Sequence, residues 1–141
     1  MQIPIDHYAS GEYLYEQMTA PVCQQYDLTR MEFTVLMFLA NNPRCDTAAQ
    51  IVKYRRLTKS HVSLAVRALL GRELVLGVDG VDDRSTIHLS LTDDAAEIVD
   101  AGREVQKQFY KTVLSGFSQE ELDQISRIMA RIDQNIKKNI H

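Results

Sequence analysis

Tryptophan is absent, cysteine occurs twice, proline three times and glycine six times in the 141 residues. So few glycines and prolines exclude a collagen-like or low-complexity polymer. With 45% hydrophobic and 25% charged residues, the chain is also not too polar to bury a core, and its length fits one ordinary domain or one core with an extension. The longest uninterrupted apolar run, Val35 to Ala40, is far short of the roughly 18 to 20 residues that a membrane-spanning helix needs, so no membrane partner is expected. Met1 to Ser10 has neither a basic start nor an apolar run, and no export signal is expected. Cys23 and Cys45 form no CxxC pair and no cysteine-rich frame, which fits a reducing, cytoplasmic compartment better than a disulfide scaffold. The histidines at 7, 61, 88 and 141 lack ligand spacing such as i, i+4, so no metal site is expected from local sequence. A GxSxG elbow, a Gly-rich phosphate loop, an HExxH helix and paired carboxylates beside a histidine are all missing. The chain therefore reads as no enzyme and as needing no cofactor.

What is present is a lopsided charge. The whole chain carries a formal charge of -3, but residues 1–43 hold -4, residues 44–91 hold +3 and residues 92–141 hold -2. Between Arg44 and Arg72, the cations Arg44, Lys53, Arg55, Arg56, Lys59, Arg67 and Arg72 stand against the single acid Asp46. A local excess of this kind asks for an anionic partner, where an average over the chain would hide it.

Helix starts are marked by a recurring signature: Thr29-Arg-Met-Glu32, Thr47-Ala-Ala-Gln50 and Ser118-Gln-Glu-Glu121. Each predicts a capping box, in which the hydroxyl accepts from an amide one turn on and the Glu or Gln reaches back to the cap residue's own amide. Leu28 with Phe33, and Phe117 with Leu122, supply the apolar staple around two of these starts. Thr58 and Thr92 read as simple caps, Thr92 being followed by Asp93 and Asp94, which suit the positive end of a helix. The spacing predicts helices over about 7–25 with a kink at Pro21, then 29–41, 47–54, 58–71, 92–115 and 118–139. Between the fourth and fifth, residues 74–78 and 87–91 flank the Asp/Gly-rich Asp79-Gly-Val-Asp-Asp-Arg-Ser85, which predicts one β-hairpin with Ile87, Leu89 and Leu91 on one face.

Two short helices separated by Arg55-Arg56-Leu57 form a helix-turn-helix, a unit whose second helix can lie in the major groove of duplex DNA. In that second helix Val62, Ala65, Val66, Leu69 and Leu70 follow the pattern of a buried stripe. Lys59, Ser60, His61, Ser63, Leu64 and Arg67 are left outside, a mix of cations and hydroxyls that can reach phosphates and base edges. The hairpin makes it a winged helix, with Arg84 at the tip beside Asp82 and Asp83. A guanidinium there suits a narrow minor groove; in the competing reading it forms an ordinary surface ion pair.

The order of elements resembles the MarR family of bacterial transcriptional regulators. The resemblance is carried by Thr58-Lys-Ser-His-Val-Ser63 at the recognition-helix start and by Asp82-Asp-Arg84 followed by Ile87-His-Leu-Ser-Leu-Thr92 at the return of the wing. The chain departs from the family pattern at Arg56, where the turn often has Gly, at Gly77, where a basic residue is common, at Ser85, where a second wing Arg is usual, and at Ala95, where Gly is. A wing so poor in cations leaves most of the affinity to the recognition helix. The fold expected is mainly α with a small β-hairpin, a winged helix-turn-helix core flanked by long N- and C-terminal dimerisation helices. Its boundaries are 1–28 for the N-terminal dimerisation helix, 29–91 for the DNA-binding lobe and 92–141 for the C-terminal dimerisation helices.

The resemblance implies a homodimer on a pseudo-palindromic operator in double-stranded DNA, most simply as a repressor, and release by a small aromatic effector or an oxidant. The residues themselves support the dimer: Leu122, Ile125, Met129, Ile132 and Ile136 form a 3,4-spaced seam, widened by Ile128 and Ile140. Two recognition helices about 34 Å apart would meet successive major grooves. The residues expected at the DNA are Lys59, Ser60, Ser63 and Arg67 in the major groove with Thr58 and His61 beside them, Lys53, Arg55 and Arg56 on the backbone, and Arg84 in the minor groove. Tyr8, Tyr13, Tyr15, Met18, Met37 and Phe38 could line an apolar effector pocket, but at helical spacing they read more readily as plain core. Cys45, beside Arg44 and just before the Thr47 cap, has more of a sensor's surroundings than Cys23. The rival reading is a winged-helix module that binds protein and reads no DNA.

Overall fold

A computed structural model describes the backbone of residues 6–80 and 85–141, with side chains from residue 8 onward. The elements in order are α1 (Asp6–Gln25), α2 (Arg30–Asn41), α3 (Ala48–Arg55), α4 (Lys59–Gly71), β1 (Val75–Asp79), β2 (Ile87–Leu91), a 3-10 turn (Asp93–Ala95), α5 (Ala96–Val113) and α6 (Gln119–Asn139). The fold is thus mainly helical with one small hairpin, a winged helix-turn-helix. The chain divides into two compact units, the first ending at Lys107 and the second spanning Gln108–His141.

All three capping boxes form, at Thr29, Thr47 and Ser118, and Thr58 Oγ1 accepts from the His61 amide. At Ser118 the box also holds the Glu121 carboxyl below its ordinary range, chiefly through the Ser118 backbone amide and then its hydroxyl. Thr92 departs from expectation. It makes no side-chain cap; its hydroxyl donates instead to Glu73 O at 2.7 Å, and α5 is entered through the 3-10 turn. α1 runs unbroken through Pro21.

Two helices end in the same way. After α1 the Leu28 amide donates to Cys23 O and the Asp27 amide to Gln24 O; after α4 the Leu74 amide donates to Leu69 O and the Glu73 amide to Leu70 O. Asp27 and Glu73 adopt the positive φ (52° and 57°) that this paired closure requires, and Leu28 and Leu74 are buried behind it. Arg72 joins the two endings: its guanidinium donates to Asp27 O and Tyr26 O, both at 2.7 Å. With the Thr92 amide on Leu74 O and the Tyr26 hydroxyl on Glu97, one corner ties α1, α4, the hairpin and α5 together.

Among the described residues the buried hydrophobics all lie between Val22 and Val99, so this core belongs to the first unit, where α2 is its axis with Phe33, Val35, Leu36 and Met37 nearly or fully buried. Gly102 lets α5 come close to α2, because a Cβ there would sit 2.5 Å from Met37 Sδ. No residue of α6 is buried. In the hairpin Val75 pairs with Leu91, Gly77 with Leu89 and Asp79 with Ile87. Of the expected apolar face of β2, Leu89 is buried and Leu91 half-buried, while Ile87 is exposed. The Leu89 amide also donates to Asp46 O at 2.7 Å, which fastens the wing to the chain entering α3.

Candidate nucleic-acid interface

The helix-turn-helix is made by α3, α4 and the three residues between them. α4 packs on α2 and α3 through Val62, Ala65 and Leu69, which are buried, with Val66 and Leu70 half-buried against the same core. That anchoring fixes which face is left over. Lys59, Ser60, His61, Leu64 and Arg67 are exposed and Ser63 is half-buried. Lys53 and Arg55 at the end of α3, and Arg56 and Thr58 in the turn, are exposed too. In the first turn of α4 only some amides have protein acceptors, and Thr58 supplies one of them to His61, so anion-seeking donors stand beside Lys59.

The ion pairs among the described residues are Arg30 with Glu16, His88 with Asp46 and Lys137 with Asp133. Lys53, Arg55, Arg56, Lys59 and Arg67 take no part in them, so five cations of one helix-turn-helix have no neutralising carboxylate among those residues. Asp46, the single acid in this stretch, is engaged elsewhere, 2.8 Å from His88 on β2. Arg72 counts toward the basic stretch by sequence but is occupied by two backbone carbonyls, which removes it from the set facing a partner.

Arg56 holds the turn at φ 53°, ψ 40°, the left-handed region in which a Cβ is strained. A cation kept where glycine would be easier is the kind of local conflict that marks functional positions. Arg56→Gly is therefore expected to raise the unfolding free energy by about 1 kcal/mol in urea denaturation. A lower denaturation midpoint would show that the Arg56 side chain stabilises the turn instead.

Tyr54 was not foreseen from the sequence. It is 60% exposed, with Lys53 Nζ 5.6 Å from its ring centroid, and it stands amid Lys53, Arg55 and Arg56. An aromatic between three cations was the available signal. Gly77 is explained by packing, since a Cβ there would come 2.8 Å from Ile87 Cγ2. Arg84, Asp82 and Asp83 lie outside the described residues.

The suggested pocket residues differ in exposure. Met37 and Phe38 are core, Tyr8 and Tyr13 are exposed, Met18 is half-buried, and Tyr15 accepts a hydrogen bond from Gln106 Nε2 at 2.9 Å. Cys23 and Cys45 are both free and half-buried. Burial pushes the Cys23 thiol above its ordinary pKa and the nearby Glu32 charge adds to this, which disfavours the reactive thiolate. Among the described residues no group of three or more His, Cys, Asp or Glu is placed to hold a metal ion, and no helix is long and apolar enough to cross a membrane.

A cationic second helix seated on a three-helix core, followed by a two-stranded hairpin tied back to the chain before α3, defines a winged helix-turn-helix. The sequence model of the MarR family matches residues 26–85, the segment that holds α2, the helix-turn-helix and the first strand of the wing. No curated protein sequence matches the chain. Among solved structures it is similar to a Listeria monocytogenes chain described as a MarR family transcriptional regulator complexed with 26mer DNA. The TM-score is 0.85 at 13% identity, covering 99% of this chain and 92% of that one. It is also similar to Staphylococcus aureus MarR in complex with salicylate and kanamycin (TM-score 0.77, 17% identity, 96% and 91% covered). A third likeness is to the Staphylococcus aureus MepR–DNA complex (TM-score 0.76, 19% identity, 96% and 99% covered). At these identities the likeness concerns the fold.

Proposed function

We propose that this protein is a DNA-binding transcriptional regulator that acts as a homodimer on a pseudo-palindromic site in double-stranded DNA. The observation that carries the reading is the exposed set Lys53, Arg55, Arg56, Lys59 and Arg67 on a single helix-turn-helix, none of which is in an ion pair among the described residues. Lys59, Ser60, Ser63 and Arg67 enter the major groove, with Thr58 and His61 at the helix start. Lys53, Arg55 and Arg56 hold the backbone, and Arg84 is assigned to the minor groove. Two of the similar structures are DNA complexes, which supports the docking mode. So many exposed cations on one helix-turn-helix favour a polyanionic partner over a module that only binds protein. Residues 1–28 and 92–141 serve as the dimerisation segments and residues 29–91 as the DNA-binding lobe.

Dimerisation is supported by α6, whose seam residues Met129, Ile132 and Ile136 are exposed in the single chain. The simplest outcome of occupying a promoter is repression. Release by a small aromatic acid is supported by the salicylate-bound relative. Such a ligand acts only through a difference in affinity between DNA-competent and incompetent states.

The test is a titration of the purified protein against the DNA upstream of its own gene, or against duplexes it selects from a random pool, between 50 and 200 mM salt. With six to ten phosphates contacted by the dimer, affinity is expected to fall by about 10³ to 10⁵ over that range, linearly in log–log form. A flat salt response overturns the reading.

A further inference from the structure

Resting on the reading of α4 as the groove-entering helix, we propose that Leu64 is a specificity residue that recognises the 5-methyl group of a thymine in each half-site. The exposed residues of α4 are Lys59, Ser60, His61, Leu64, Arg67 and Gly71, and Leu64 is the one large apolar side chain among them. It is 65% exposed, whereas Val62, Ala65 and Leu69 of the same helix are buried. At 3.6 residues per turn, Leu64 falls about 40° around the helix from Ser60 and about 60° from Arg67, one turn after the first and one before the second. It stands on the outward face, away from the buried stripe, and contributes nothing to the core.

The chemistry of the major groove says what such a side chain can meet. Base edges there offer donors and acceptors, which Ser60 and Arg67 can satisfy, and one apolar feature, the thymine C5-methyl. A leucine pressed against the polar edge of cytosine or guanine would displace water without replacing its hydrogen bonds, so it selects against those bases as well as for thymine. Because Arg67 can take the paired acceptors of guanine, the expected half-site places a thymine within a base or two of a guanine. On α4 a single leucine set among Lys59, Ser60, His61 and Arg67 offers no contiguous apolar face for a protein partner.

The assignment is tested with duplexes selected by the full-length protein, in which each thymine is replaced in turn by deoxyuridine, a change that removes only the methyl group. Affinities of the wild type, Leu64→Ala and Leu64→Met are read by fluorescence polarisation, and circular dichroism checks the fold. One thymine per half-site is expected to cost the wild type about fourfold when replaced, and both half-sites together about fifteenfold. Leu64→Ala is expected to bind the thymine duplex correspondingly more weakly and to lose the discrimination, while Leu64→Met retains it. Tolerance of deoxyuridine at every position, or an equal loss in Leu64→Ala, overturns the Leu64 assignment while leaving DNA binding intact. Failure to select any duplex overturns the reading beneath it, and the assignment with it.

Discussion

A protein carrying Lys59→Ala and Arg67→Ala together is expected to lose at least 100-fold in affinity for its operator while folding and dimerising like the wild type. Both side chains are exposed, and neither takes part in an ion pair among the described residues, so truncation leaves no buried group unsatisfied. Alanine is as good a helix former as either residue or better. Removing two cations also relieves repulsion from Lys53, Arg55 and Arg56, so the urea midpoint is expected to stay level or rise slightly. The dimer meanwhile loses four contacts with DNA, each worth about 1 to 3 kcal/mol where it is well formed.

The salt dependence of that double variant separates the roles of the two residues. If all four lost contacts are to phosphates, the log–log slope becomes shallower by about 3.6; if Arg67 reads a base edge, the loss is about half that. The single variants then divide as expected for grip and reading. Lys59→Ala weakens all duplexes alike, and Arg67→Ala relaxes the preference at one base pair. Unchanged operator affinity in the double variant would remove α4 from the interface. Arg56→Gly supplies the counterpart, a substitution expected to stabilise the turn while weakening backbone contact. Stability and DNA affinity moving in opposite directions would separate this site from ordinary structural positions.

The parts of this protein legible from sequence are those decided by near neighbours. The boxes at Thr29, Thr47 and Ser118 were readable because donor and acceptor lie three residues apart. The buried stripe of α4 was readable because a helix repeats its faces every 3.6 residues. Thr92 looked like the same kind of cap, but its hydroxyl went to Glu73 O, 19 residues away, a competitor that no local pattern displays. Arg72 is the same lesson within the candidate site. Counted among the free cations, it is held by carbonyls 45 and 46 residues earlier, because the closures of α1 and α4 meet at one corner. Likewise Asp46 dilutes the positive stretch when charges are counted along the sequence, whereas in the fold His88, 42 residues on, is its partner. Sequence thus shows the charge, and tertiary structure shows which charges are taken up by partners among the described residues.

The second large effect is expected from α6. Placing like charges on its seam, with Met129→Asp and Ile136→Asp in one chain, should convert the protein to monomers at micromolar concentration and lower operator affinity by about 10² to 10⁴. In the single chain these side chains are 48% and 55% exposed, and no residue of α6 is buried, so the substitutions open no cavity. Among the described residues the hydrophobic core lies between Val22 and Val99, in the unit that ends at Lys107, and should survive loss of the partner. In a seam, by contrast, each of these positions would face its counterpart across a two-fold axis, and two carboxylates brought together there repel in a desolvated setting. Affinity falls because the second half-site is no longer presented at the effective concentration that tethering provides, although each monomer keeps its own contacts. Sedimentation velocity should show half the wild-type mass, with circular dichroism retained and residual binding that no longer depends on the spacing between half-sites. A stable dimer in this variant would move the interface off the 3,4-spaced stripe. A monomer that still binds the full palindrome with wild-type affinity would break the link between dimerisation and DNA recognition.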